Sequence, residues 1–173
     1  PGVFARIRER IKEGIWEAEG AMWLEPDCNI SSGESLIRHI IYGRRFFEQE
    51  LGAEKNEVLW LPDVFGYSAA LPQILQKSGI PYFMTTKIGW NEFNRFPHDT
   101  FLWKGIDGTE VLTHLISTRN YQKPGDLKMV GNHSTTYNGL QNASQLMGTW
   151  QRYQDKDVST EVLTCYGYGD GGG

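Results

Sequence analysis

The sequence predicts an α/β fold, from the alternation of short apolar runs with amphipathic segments and from the shortness of the connections between them. Residues 21–24 (AMWL), 58–61 (VLWL) and 82–86 (YFMTT) are brief apolar runs bounded by turn formers, the pattern of buried strands. Between them, residues 33–51 carry Leu36, Ile37, Ile40, Ile41 and Phe47 at helical spacing, and residues 69–77 carry Leu71, Ile74 and Leu75. A strand–helix–strand–helix–strand order with short joints calls for parallel strands and crossover helices.

The remaining elements follow in order. Residues 1–13 read as a helix, with Val3, Ile7 and Ile11 on one stripe and Gly14 as its stop. Ser31 and Glu34 have the spacing of a capping box ahead of the 33–51 helix, which Gly52 ends. Gly79 stops the 69–77 helix. Residues 100–103 and 111–115 flank Ile106-Asp107-Gly108-Thr109, and Asp-Gly between two apolar runs signals a hairpin. Residues 120–135 read as a long polar loop. Residues 137–153 read as a helix containing Gly139 and Gly148. Residues 162–166 (VLTCY) read as a last buried strand, entering a tail of Gly169-Asp170-Gly171-Gly172-Gly173. No repeat or linker divides the chain, so residues 1–173 are expected to form part of one domain.

Composition narrows the function classes. With 39% hydrophobic and 22% charged residues, the chain has the balance of a soluble globular domain. No run approaches the roughly 18 apolar residues of a membrane span, so no membrane partner is expected. A formal net charge of -4 speaks against nucleic acid as a partner. The run Arg6, Arg8, Arg10 and Lys12 alternates with Ile7, Ile11 and acidic residues, as a solvated helix face does. Cys28 and Cys165 are the only cysteines; without CxxC spacing a zinc-finger site is excluded, and a reducing, cytoplasmic compartment is expected. Of six tryptophans some are expected in the core, and those near loop ends also suit sugar binding, because flat apolar rings match the C–H faces of pyranoses. Without an initiator Met or an apolar leader, and with a glycine run at its end, the chain is expected to be a fragment of a longer protein.

Active sites of α/β folds gather at the carboxyl ends of parallel strands. That rule selects Glu25 and Asp27 after the first strand, Asp63 after the second, Lys87 and Trp90 after the third, His114 late in the hairpin and Asp170 after the last strand. Asp63 follows Pro62, which fixes the backbone ahead of it, and precedes Phe65-Gly66-Tyr67. A carboxylate held there can serve as nucleophile, base or metal ligand, or else as the N-cap of the next helix. Asp170, among glycines that let a ligand approach, is either an acid/base group or a turn aspartate. Two carboxylates at strand tips suit glycoside hydrolysis, where one attacks carbon and the other shuttles a proton. Glu25 and Asp27 can bind sugar hydroxyls or cap the Ser31 loop. Lys87 can steer a hydroxyl, hold Asp63 ionised, or simply face solvent. His114 reads first as a satisfied core histidine, and His39, His98 and His133 make no HxxxH or HxH pair.

The run Trp60-Leu61-Pro62-Asp63-Val64-Phe65-Gly66-Tyr67-Ser68-Ala69-Ala70-Leu71-Pro72-Gln73 closely resembles the signature around the nucleophile of glycoside hydrolase family 38 α-mannosidases, in the branch of cytosolic, vacuolar and bacterial catabolic enzymes. Trp23-Leu24-Glu25-Pro26-Asp27, Ser32 to Arg38, Phe96 to Phe101, Gly105 to Gly108 and Tyr168 to Gly172 match that branch as well. The resemblance implies a seven-stranded β/α barrel-like catalytic domain that hydrolyses terminal α-mannosides of oligosaccharides with retention. It implies Asp63 as nucleophile and zinc ligand, Asp170 as acid/base, and Lys87 as a basic residue near the nucleophile. Phe65, Tyr67 and Trp90 are implied as substrate-pocket residues beside Glu25 and Asp27. Zinc would grip the 2- and 3-hydroxyls of the sugar.

The other zinc ligands of the family, a His-x-Asp pair and a histidine, are expected upstream of Pro1 and downstream of Gly173. A single carboxylate does not hold zinc tightly, so this span alone is expected to be inactive. Homo-oligomerisation of the full-length protein stays open. A carbohydrate-binding module on the same fold is the competing reading. A nucleotide-sugar transferase is weaker, because no phosphate-cradling glycine loop follows the first strands.

Overall fold

The structure, a computed structural model, describes residues 2–91, 93–123 and 135–169. Its elements are helix α1 (Val3–Lys12), helix α2 (Gly33–Phe46), strand β1 (Val58–Leu61), helix α3 (Leu71–Lys77), strand β2 (Tyr82–Thr85), strand β3 (Thr100–Lys104), strand β4 (Glu110–Leu115) and helix α4 (Ala143–Arg152). The four strands form one sheet in the order β1-β2-β4-β3. The fold is mixed α/β, with four strands among the described residues, and of the expected strand–helix–strand–helix–strand order the part β1–α3–β2 is present.

Strand directions follow from the hydrogen bonds. The Tyr82 N–H donates to the Glu57 carbonyl at 3.3 Å, so β1 and β2 start side by side and run in parallel across crossover helix α3. Leu112 donates to Pro81 and Ile116 to Thr85, a constant offset that makes β2 and β4 parallel too. β3 and β4 form the expected hairpin. Asp107 Oδ1 accepts from the Thr109 N–H at 3.0 Å, and Gly108 takes the positive φ of 84° that the turn requires.

Several elements differ from the expectation. Residues 21–24 form no strand: Gly20 makes a single parallel bridge to Leu59, and Ala21 then turns to a φ of 61°, which breaks the ladder. Residues 162–166 likewise give one bridge, Tyr166 to Gly139, instead of a strand. The 33–51 helix is continuous, but its last turn, Phe47–Leu51, widens to a π-turn before Gly52 ends it at a φ of 67°. Its cap is Ser32 rather than Ser31: Ser32 Oγ accepts from the Ser35 N–H, and Glu34 pairs with Arg38 at 2.8 Å. The last helix begins at Ala143 rather than Tyr137, because Asn142 Oδ1 caps the Gln145 N–H at 3.0 Å.

The chain falls into two compact units, residues 1–83 with 102–112, and residues 84–101 with 113–173. The first unit holds an apolar core of Leu36, Ile40, Leu59, Leu61, Leu75 and Ile80, each at most 2% exposed. Each such side chain contributes about 1.5–3 kcal/mol by leaving water. Gly43 lets α2 approach residues 22–23, where a Cβ would lie 2.5 Å from the Trp23 nitrogen. This contact presses α2 onto the segment that leads to Glu25.

The second unit is organised around buried charge. Arg152 Nη1 on α4 donates to both oxygens of Asp99 at 3.1 Å. Asp155 accepts from the backbone N–H groups of Asp99 and Thr100 and pairs with His98 Nδ1 at 2.8 Å. Burial, then the Arg152 charge, pushes the Arg95 guanidinium down to about 10.

Candidate active site

In the first unit, alternation along β1 buries Leu59 and Leu61 and leaves Trp60 outward. The strand ends in the turn Pro62-Asp63. Asp63 is therefore delivered to a strand tip, as the sequence predicts. Its backbone N–H donates to Glu25 Oε1 at 2.6 Å, the short distance of a charge-assisted bond. Glu25 sits on a braced segment. Asp27 Oδ1 accepts from the N–H groups of Asn29 and Ile30 at 2.8 and 3.1 Å, an Asx-type turn. Cys28 is buried behind it, and burial, followed by the charges of Asp27 and Glu25, pushes its thiol up to about 12. The Asn29 amide lies over Gly66 so closely that any Cβ there would collide with it.

The two aromatics after Asp63 have different settings. Phe65 is 74% exposed and presents an apolar face beside the strand tip. Tyr67 packs edge-on against Phe83 and Trp103, at 4.8 and 6.3 Å between ring centroids. Its hydroxyl lies within hydrogen-bonding reach of the Leu61 and Val64 carbonyls, at 2.9 and 3.1 Å, so it braces the turn that carries Asp63.

In the second unit, Lys87 and Trp90 follow β2 on a short 3-10 turn, Lys87–Gly89. Lys87 Nζ stands 3.3 Å from the centre of the Trp90 ring and 5.4 Å from that of Tyr137. The Trp90 indole N–H donates to the Thr135 carbonyl at 2.8 Å, which fixes the ring while leaving it 48% exposed. Tyr137 was not legible as a partner from the sequence, because it comes from a distant segment. His114 is a partly satisfied core histidine: its Nδ1 is 2.9 Å from Thr100 Oγ1, its Nε2 is buried without a hydrogen-bond partner, and burial lowers its pKa. Asp170, the expected acid/base, lies outside the described residues.

The structure thus joins Glu25, Asp27, Asp63 and Tyr67 in one braced cluster and Lys87, Trp90 and Tyr137 in another. Among the described residues no three of His, Cys, Asp and Glu converge on a point that would hold a metal ion. No described helix is long and apolar enough to cross a membrane.

Comparison with known proteins identifies the setting. The chain matches Glycosyl hydrolases family 38 N-terminal domain over residues 1–173. It is 42% identical to Alpha-mannosidase G of Dictyostelium discoideum over its whole length, which is 14% of that protein. It is 40% identical to Alpha-mannosidase 2C1 of Mus musculus over its whole length, 15% of that protein. It is 40% identical to Alpha-mannosidase of Saccharomyces cerevisiae over 95% of its length, 14% of that protein. The chain therefore spans about a seventh of these relatives.

Among solved structures, an alpha-mannosidase from Enterococcus faecalis V583 superposes with a TM-score of 0.55 at 18% identity, over 64% of this chain and 12% of that one. A 4-alpha-glucanotransferase from Thermococcus litoralis gives 0.52 at 18% identity, over 65% of this chain and 18% of that one. At such identity both show shared fold alone. With the family match covering every residue and the relatives near 40% identity, the chain belongs to glycoside hydrolase family 38, within its N-terminal domain.

Proposed function

We propose that this chain is the nucleophile-bearing part of a retaining, zinc-dependent α-mannosidase that removes terminal α-mannose from oligosaccharides. The observation that carries the reading is Asp63, a carboxylate at the tip of β1 whose backbone is clamped by Glu25, inside a chain of family 38. In the reaction, an Asp63 carboxylate oxygen attacks the anomeric carbon as the glycosidic C–O bond breaks. The leaving oxygen takes the proton of Asp170 as general acid. Asp170, now a carboxylate, deprotonates a water that cleaves the mannosyl ester, which regenerates Asp63 and leaves mannose with its original configuration. Phe65 offers an apolar wall to the sugar ring.

Zinc bound to Asp63 and to ligands from outside this span would hold sugar hydroxyls and stabilise charge. The four strands would belong to a larger, seven-stranded β/α barrel-like domain. The two buried free thiols suit a cytoplasmic, catabolic enzyme. The test is Asp63→Asn in the full-length chain, with a fluorinated mannosyl fluoride as trap in the unmutated enzyme. We expect a loss of several orders of magnitude and a trapped ester on the peptide containing Asp63. Activity within tenfold of the unmutated enzyme, or a label on another carboxylate, would sink the assignment.

A further inference from the structure

Glu25 stands out because its carboxylate is set against the backbone of a second carboxylate residue. Pro62 has no N–H, so the Asp63 N–H is the first backbone donor beyond the end of β1. It is met by a side chain 38 residues upstream at 2.6 Å, not by another strand.

The base that carries Glu25 is rigid on both sides. Trp23, two residues earlier, donates its N–H to the His39 carbonyl of α2 at 2.9 Å, on the segment that Gly43 presses against the helix. Two residues later Asp27 closes its own turn, and Asn29 packs on Gly66, just beyond Asp63. The Glu25 carboxylate and the Asp63 turn are thus locked together at two points.

We infer that Glu25 is a positioning residue, which fixes the Pro62–Asp63 peptide and thereby aims the Asp63 carboxylate, rather than a ligand of the sugar. The inference rests on the reading of Asp63 as nucleophile. A bond to the N–H sets the rotation of that peptide plane, and the direction of the Asp63 Cα–Cβ bond follows from it. Attack on carbon is sensitive to such aim, since a displacement of about 1 Å can slow the step on the order of a hundredfold.

The experiment compares E25A, E25Q and D63N in the full-length enzyme by steady-state and burst kinetics, with the Asp63 amide proton followed by NMR. E25A is expected to lower the rate of mannosyl-ester formation by about 10- to 100-fold, while KM and inhibition by free mannose change by less than about threefold. E25Q keeps an oxygen that can accept the N–H and is expected to recover most of the loss. The Asp63 amide resonance should move upfield in E25A and stay close to its original place in E25Q.

A rise in KM with unchanged kcat in E25A would make Glu25 a sugar ligand and overturn the inference. So would an E25Q enzyme as slow as E25A, or an Asp63 amide indifferent to both changes. An inactive D63N beside an unaffected E25A would sink the positioning role alone. A fully active D63N would sink the nucleophile reading, and the positioning role with it.

Discussion

Replacing Asp99 with Asn isolates the buried ion pair on which the second unit depends. Arg152 Nη1 lies 3.1 Å from both Asp99 oxygens, and the two side chains are 3% and 1% exposed. Asp99 Oδ2 also accepts the Gln154 N–H at 2.8 Å, and Arg152 Nε already has no hydrogen-bond partner. An Asn side chain fits the same space but has one acceptor where Asp has two. Its NH2 must face either the Arg152 guanidinium or the Gln154 N–H, donor against donor. Arg152 is left as a buried cation without its counter-charge.

Removing one partner of a buried pair costs about 3–5 kcal/mol. In a chain of this size, where 1 kcal/mol moves the midpoint by roughly 2–4 °C, that corresponds to a Tm lowered by about 6–20 °C. Thermal unfolding followed by circular dichroism, with urea midpoints as a second measure, reads this directly. Adding Arg152→Met to the variant should restore part of the loss, because the stranded charge is gone. A loss below about 1 kcal/mol, or a double variant whose loss is the plain sum of the two single losses, would refute the pairing argument.

Three further predictions rest on other parts of the structure. Burial depresses the folded pKa of His114 below its ordinary 6.5, so the unfolded chain binds the proton more readily. The deficit is absent well above pH 6.5 and grows as pH falls through that value; His114→Gln should flatten the stability slope there, and an unchanged slope in urea titrations would contradict it. Burial pushes Cys28 and Cys165 up to about 12 and about 11, so both thiols should resist a thiol reagent at pH 8 and react promptly in denaturant; fast native labelling would count against their burial. Gly43→Ala sets two effects against each other: helix propensity favours Ala by about 1 kcal/mol, whereas its Cβ would lie 2.5 Å from the Trp23 nitrogen. Overpacking of about 1–3 kcal/mol should prevail, and a stabilised variant would show that α2 does not press on that segment.

Local chemistry determined much of this protein. Apolar runs bounded by turn formers located β1, β2 and the β3–β4 hairpin within a residue or so, and Asp107-Gly108 marked the turn. Asp63 was placed at the end of β1, and a contiguous signature found the family, because both are written in neighbouring residues. Only the tertiary structure decided what those residues meet. The apolar run at 21–24 promised a strand, yet only Ala21 and Met22 are buried, and the positive φ of Ala21 turns the chain away after one bridge. The bond from Asp63 to Glu25, the stacking of Lys87 on Trp90 and the pairing of Asp99 with Arg152 each join segments or set contacts that no spacing announces. The physical reason is that strand and helix propensities act over a few residues. A carboxylate's partner is chosen by whichever backbone or cation folding brings within about 3 Å of it, and that is a property of the assembled chain.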